Sequence, residues 1–321
     1  MIALPLPKQE APMSATDLTV ITEIVSQSKT DLAPEMPDAD FWEFFTAKEL
    51  LRDYQLDPDE IESGIVGQTT QADGSDGGID SMYLFVNGVP LRDVDQAKAI
   101  SHKKGIIFDI IIIQSTRAKG FELSAVTRLL NTCESIFRIE LPVEDFSETY
   151  NARLTDVIRR FRTAHTSLVT RQPEINVSVF YASYADTGTI NETLSGKAKE
   201  LETKIKETLA TVTTCNFHFK GAREMITLWQ KPRKFEFTLS CTQSVTGRKG
   251  GHVALVELGE YYRLITDEKA MMREYLFESN VRDYEGDVDV NKQIKATLES
   301  RNDVAGFWWL NNGITILAQP Y

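Results

Sequence analysis

Cysteine is scarce in this chain and never paired in sequence. Cys133, Cys215 and Cys241 are odd in number, widely spaced and outside any CxxC, which argues against a disulfide framework and against a four-cysteine zinc site. The four histidines, His102, His165, His218 and His252, show neither HExxH nor HxH spacing, so histidine-based metal chemistry has no motif behind it. Long apolar runs are missing as well. The longest, Ile106 to Ile113, is broken by Asp109 and falls far short of the roughly 20 residues that cross a bilayer. The start, MIALPLPKQE, lacks a basic segment followed by a long apolar stretch and a small-residue cleavage site, so the expected location is the cytoplasm, with no membrane partner. No internal repeat and no low-complexity tract interrupts the chain.

An overall excess of positive charge is also lacking, the formal net charge being −12. Proteins that bind nucleic acid need local positive potential over the phosphates, so distribution matters more than the sum. Residues 1–62 hold fourteen acids against four bases, whereas residues 151–171 hold five arginines and one acid, and residues 220–234 five bases and one acid. The acidity belongs to the front of the chain, which leaves basic patches available further on.

What the sequence does contain is enough for two domains: 321 residues, 42% hydrophobic and 26% charged, exceed what one core usually organises. Apolar spacing predicts helices over 14–28 and 41–54, with Ser14 and Asp40 as caps. Asp57-Pro58, with Glu60 three residues after the cap, predicts a short helix that carries Glu62 and stops at Gly64. Asp76-Gly-Gly-Ile-Asp80 reads as a turn entering a strand over 79–86, and 106–116 as a strand covered on both faces. A helix is expected over 121–137, and a second domain from 146, with strands at 175–182, 215–219, 235–245 and 252–257. Its expected helices span 191–211, 221–229, 267–278 and 290–300, and a hairpin turns at Asn311-Asn312-Gly313. The expected class is therefore α/β, or α+β, with residues 1–145 as one domain and 146–321 as a mixed α+β domain incomplete at its C-terminus.

Within the first of these, Gln114 and Thr116 point to one face of their strand, because strand side chains repeat every two residues. If the 79–86 and 106–116 strands are neighbours, Asp80 meets them there. An acid and further oxygen donors at a sheet end suit Mg²⁺, which prefers oxygen ligands and keeps several waters.

These residues also carry a resemblance. Glu62-Ser-Gly-Ile-Val, Asp76-Gly-Gly-Ile-Asp80 and Ile111-Ile-Ile-Gln114-Ser-Thr116 resemble the E, D and QxK motifs of the PD-(D/E)xK, or restriction-endonuclease-like, fold, in the form found in the abortive-infection phage-resistance (AIPR) proteins. The downstream stretches Leu276-Phe-Glu-Ser-Asn280-Val-Arg282, Val290-Asn291-Lys-Gln-Ile294 and Phe307-Trp-Trp-Leu-Asn311-Asn312-Gly313 resemble that family's characteristic block. The two regions cover about a third of the chain.

The resemblance implies a nuclease core in which Glu62, Asp80 and Gln114 hold one or two Mg²⁺ or Mn²⁺ ions, with no organic cofactor. It also implies a lysine two residues after the glutamine, and Thr116 stands there instead; threonine can neither carry positive charge nor replace a long amine. Lys119, or Lys103 or Lys104 from the preceding turn, are the candidates to take that part. Lys103, Lys104, Arg117, Arg159, Arg160 and Arg162 are the candidate contacts to DNA or RNA. Asn280, Arg282, Asn291, Asn311, Asn312 and Gly313 are candidates of the second block. A phage-encoded trigger and a second copy of the chain are further candidate partners. The expected activity is metal-dependent hydrolysis of nucleic acid in anti-phage defence. The alternative is a nuclease-like module that has lost its chemistry and senses phage nucleic acid or protein.

Overall fold

The computed structural model describes residues 15–54, 56–67, 75–99, 105–231, 238–246 and 252–266, with isolated residues beyond. The chain divides into two compact units, 1–235 and 236–321. The boundary expected at 145/146 thus falls inside the first unit, for a reason that lies in the sheet.

That sheet has five strands in the order β2-β1-β3-β4-β5. β1 (Ser81–Val86), β2 (Val89–Pro90) and β3 (Ile107–Thr116) are antiparallel neighbours, whereas β4 (Glu174–Ser183) pairs parallel with β3, and β5 (Val212–Lys220) parallel with β4. Ten consecutive residues of β3 are matched by ten of β4, from Ile107↔Glu174 to Thr116↔Ser183. Parallel neighbours need a crossover. Here it is supplied by α5 (Leu123–Ile136), α6 (Glu144–Ser147) and α7 (Ala152–Leu168), and for β4 to β5 by α8 (Glu192–Thr208). The segment after residue 145 therefore completes the first sheet, and the fold is mixed α/β as expected.

Both faces are covered. Met82, Leu84 and Val86 of β1, Phe108, Ile110 and Ile112 of β3 and Val177 and Val179 of β4 form one buried layer with Leu129, Cys133 and Ile136 of α5, Ile158 and Phe161 of α7 and Leu201 of α8. The alternate residues, Tyr83 and Phe85, Ile111 and Ile113, and Ala182, pack on α1 (Ala15–Leu32), α2 (Asp38–Leu50) and α9 (Ala222–Gln230). Period-two alternation with both sets apolar gives a strand buried on two faces. Each such Ile or Phe contributes roughly 1.5–3 kcal/mol by leaving water.

The helix predicted over 41–54 begins at Asp38, with Pro37 rather than Asp40 before it, and gives way to a 3-10 turn at Arg52–Tyr54. α3 (Pro58–Ser63) starts as predicted, the Glu60 carboxylate accepting from the Asp57 amide (2.9 Å), and ends at Gly64. α4 (Val94–Lys98), capped by Asp93, was not anticipated.

In the second unit, β6 (Gln243–Thr246) and β7 (His252–Leu255) form an antiparallel pair, followed by α10 (Leu258–Ile265). Residues 238–242 are not in a strand, so the strand predicted over 235–245 is shorter. α10 was missed because its start, Leu258-Gly259, reads as a break. The helices expected at 267–278 and 290–300 and the hairpin at 311–313 lie largely or wholly outside the described residues.

Candidate functional site

At the C-terminal end of β3 three strands present polar side chains in a row. Ser81 is opposite Ile113, so Asp80 lies opposite Gln114, and Gln114 is registered with Tyr181 of β4. Asp80 is only 8% exposed. Its Oδ2 accepts from the Ser115 amide, from Ser115 Oγ (3.1 Å) and from Gln114 Nε2 (3.1 Å). The convergence expected of Asp80 and Gln114 is present.

Local backbone chemistry sets Asp80 there. Gly77 and Gly78 have φ of +65° and +80°, which non-glycine residues adopt at a cost. The Gly78 amide donates to Asp76 Oδ1 (2.7 Å), and Thr132 Oγ1 of α5 donates to the Gly77 carbonyl (2.7 Å). Below the turn, the amides of Val66 and Gly67 both donate to the Asp80 carbonyl. Asn151 ties this loop to the start of α7: its Nδ2 donates to the Val66 carbonyl (2.7 Å) while its Oδ1 caps the helix through the Leu154 amide (2.8 Å).

The second carboxylate of the site is Glu43 of α2, which the sequence reading passed over. It is half-buried and flanked in sequence by Phe41, Trp42, Phe44 and Phe45, all of them core residues. A Cβ on Gly67 would stand 2.6 Å from Glu43 Oε2, so glycine at 67 is what lets the acid lie against the loop that holds Asp80. Among the described residues Glu43 has neither a hydrogen bond nor an ion pair. Burial, then the neighbouring Asp80, Asp40 and Asp76, push its carboxyl up to about 8. Burial likewise pushes Asp80 up to about 7; Asp76 adds to this, while the Ser115 donors and Arg128 oppose it. Two buried acids with too little positive charge nearby resist ionising together, which marks a place where a cation would be welcome.

Glu43 opens on a cleft of about 510 Å³ that it shares with Asp40, Asp59, Glu62 and Arg153. Glu62 is exposed on α3 and stands at this rim, with no hydrogen bond to Asp80 or Gln114. Among the described residues no three His, Cys, Asp or Glu side chains are grouped to hold a metal ion. The side chains that do meet are Asp80 and Gln114, whose Nε2 donates to Asp80 Oδ2, and Asp80 lies close enough to Glu43 to help raise the Glu43 carboxyl.

Thr116 uses its hydroxyl locally, accepting from the Ala118 amide (3.2 Å). The following loop is drawn toward β4, because Ser183 Oγ donates to the Ala118 carbonyl (2.7 Å). Lys119 is exposed on that loop, and among the described residues no hydrogen bond or ion pair joins it to Asp80. Lys103 and Lys104 lie outside the described residues.

The arginine cluster of α7 is corrected. Arg160 is 7% and Arg162 6% exposed. Arg160 donates to the Leu91 carbonyl (2.8 Å) and pairs with Asp156 (3.1 Å). Arg162 donates to the Leu141, Arg138 and Ile136 carbonyls and lies 4.6 Å over the Phe146 ring. Both are buried ties holding loops to α7, not phosphate contacts. Arg159 is exposed but pairs with Asp156 (3.6 Å), and Arg117, also exposed, pairs with Asp38 (3.5 Å). Arg153, the second residue of α7, lines the acidic cleft and makes no ion pair among the described residues.

Residues 277–321 match the AIPR protein family model. Over that stretch the chain is similar to AIPR proteins, which supports the resemblance of its downstream block. Asn280, Arg282, Asn291, Asn311, Asn312 and Gly313 fall within the match and outside the described residues. No curated protein and no solved structure matches the chain. Among the described residues no helix is long and apolar enough to cross a membrane.

Proposed function

We propose that the β3 end of the sheet is a divalent-metal-dependent phosphodiesterase site acting on DNA or RNA, in a protein that serves anti-phage abortive infection. The observation that carries this reading is the junction of Asp80 and Gln114 on adjacent strand ends with Glu43, unpartnered and half-buried, beside them. The match over residues 277–321 supports the defence role.

The residues present suit Mg²⁺ or Mn²⁺. Two carboxylates whose protons are held above the usual range would release them to a divalent cation, and rotation of the Gln114 amide presents Oε1 in place of Nε2 at the same point. Asp80 and Glu43 would hold the ion, with Gln114 and water completing its shell; Glu62 at the rim would orient water or a further cation. When bound, such an ion activates water and offsets charge developing on the phosphate. Ser115 keeps Asp80 in place through both its amide and its hydroxyl. The purified chain should cleave DNA or RNA in Mg²⁺ or Mn²⁺ and not in EDTA, and Asp80→Ala should abolish the cleavage. Protein that leaves single- and double-stranded DNA and RNA intact in both metals removes the catalytic part.

A second reading is favoured by one observation. Thr116 is engaged in a turn, and no amine stands at its position, so the site would bind or sense phage nucleic acid or protein without cutting. Thr116→Lys separates the two: activity that arises only in this variant identifies a degenerate site, whereas activity in the unaltered chain means another group carries the charge.

A further inference from the structure

If the site cuts, some cation must face the phosphate. Thr116 carries no charge, and among the described residues no hydrogen bond or ion pair ties the exposed Lys119 to Asp80; α5 brings a cation to the turn that sets Asp80. Its Thr132 is bonded to the Gly77 carbonyl (2.7 Å). One turn earlier, on the same face of the helix, Arg128 lies along Gly78: a Cβ there would be 2.9 Å from Arg128 Cδ and 3.2 Å from Cγ. Residues i and i+4 of a helix share a face, so the turn that sets Asp80 and the stem of Arg128 are registered against each other by two successive contacts. A further turn back, Ala125 packs in the cluster that contains Tyr181, the β4 residue registered with Gln114. With its stem along Gly78, Arg128 lies close enough to Asp80 and Tyr181 for its positive charge to favour the ionised form of each.

We propose that Arg128 is the phosphate-binding side chain of this site, gripping the phosphodiester beside Asp80. The contrast with the other arginines is direct. Arg160 and Arg162 spend their donors on backbone carbonyls, while Arg128 is exposed and, among the described residues, makes no hydrogen bond or ion pair. It lies near a carboxylate without pairing to it, which leaves its planar fork free for the two non-bridging oxygens of a phosphodiester, a match that guanidinium makes bidentately. The glycine at 78 serves two ends at once, the left-handed turn and the lane for the arginine stem. The proposal rests on the nuclease-like reading of the site, but phosphate binding and cleavage are separable by experiment.

The test uses the full chain and fluorescent single- and double-stranded DNA and RNA oligonucleotides, with Arg128→Ala, Arg128→Lys and, as a control on an exposed arginine just past the end of α5, Arg138→Ala. Binding is measured with Ca²⁺ across a salt series. Arg128→Ala should lower the slope of log affinity against log salt by about one, irrespective of base sequence, whereas Arg138→Ala leaves it unchanged. If the unaltered chain cleaves, Arg128→Ala should lower kcat by about 10²-fold, with partial recovery on adding guanidinium ion, and its Mn²⁺ affinity should hold or rise because a neighbouring positive charge has gone. Oligonucleotide binding with the slope change but no cleavage by any chain sustains Arg128 and overturns the nuclease reading. An unchanged salt slope in a folded Arg128→Ala, or no oligonucleotide binding by the unaltered chain, overturns the proposal. Cleavage that survives Arg128→Ala but is lost in Lys119→Ala assigns the charge to Lys119 instead.

Discussion

Asp109 and Asp80 lie against the same strand five residues apart, Asp109 within β3 and Asp80 opposite Gln114, or roughly 17 Å along it. Their surroundings differ in kind. Asp109 is enclosed by neutral donors: Asn176 Nδ2 reaches Oδ1 (3.2 Å), the Tyr54 hydroxyl reaches Oδ2 (3.4 Å), and Asn176 is itself held by Thr214 Oγ1 (2.7 Å). Asp80 has its donors crowded on a single oxygen and two further carboxylates, Asp76 and Glu43, close by. The first arrangement is closed and structural. The second is left short of positive charge, and that deficit is what the proposed cation would offset.

The strongest way to break the comparison is to neutralise each acid in turn. Asp80→Asn and Glu43→Gln should each slow metal-dependent cleavage by about 10²-fold or more, whereas Asp109→Asn should leave the rate unchanged. Equal rates for Asp80→Asn and the unaltered chain would remove the distinction. The arginines allow a parallel contrast. Arg162→Ala strands three carbonyls and a cavity beside Phe146 and should cost about 2–3 kcal/mol in urea unfolding, without altering the salt dependence of oligonucleotide binding. Arg153→Ala should do the reverse.

pH sharpens the difference further. Asp80 and Glu43 hold their protons to about 7 and about 8 in the folded chain, above their unfolded values. They therefore take up protons on folding, and the stability that this confers is present in acid and lost as pH rises through that range. In EDTA the Tm should fall between pH 5 and pH 8, and Asp80→Asn combined with Glu43→Gln should flatten the decline; a Tm that rises over this interval contradicts the assigned environment. Adding Mn²⁺ at pH 8 should recover the loss, as binding to the folded state alone must. Gly78→Ala, which forces a side chain into φ of +80° and against Arg128, should cost about 1–3 kcal/mol. The smallest effect is that of Asp109→Asn on stability, about 1 kcal/mol, since an asparagine keeps part of the network.

Much of the scaffold was legible because its signals are local. The β-branched run of β3, the Gly-Gly turn before Asp80 and the Asp57-Pro58 helix start each depend on a few adjacent residues, and the pairing of Asp80 with Gln114 follows from period-two geometry once the strands are neighbours. Glu43 was not legible, because a lone acid amid four aromatic residues looks like the wet edge of a helix. Only the tertiary approach of Gly67 shows that it faces inward. Arg128 was missed for a similar reason, being a single exposed base on an amphipathic helix until Gly78 is seen beneath it. Arg160 and Arg162 misled in the opposite direction: a cluster in sequence suggests a surface, but their long stems reach into the protein and their donors close gaps between loops. The domain boundary fell elsewhere because parallel pairing joins residues 67 apart, as in Ile107↔Glu174, a separation no local pattern encodes.

That parallel pairing bears on how the molecule can be cut. A fragment ending near residue 145, the tempting place from sequence, would strip β4 from β3 and leave its backbone donors and acceptors open along a row of isoleucines. An uncovered, flat, apolar edge of this kind recruits other chains, so the shortened protein should precipitate or form intermolecular sheets, and its silence in any assay would say nothing about the chemistry of Asp80.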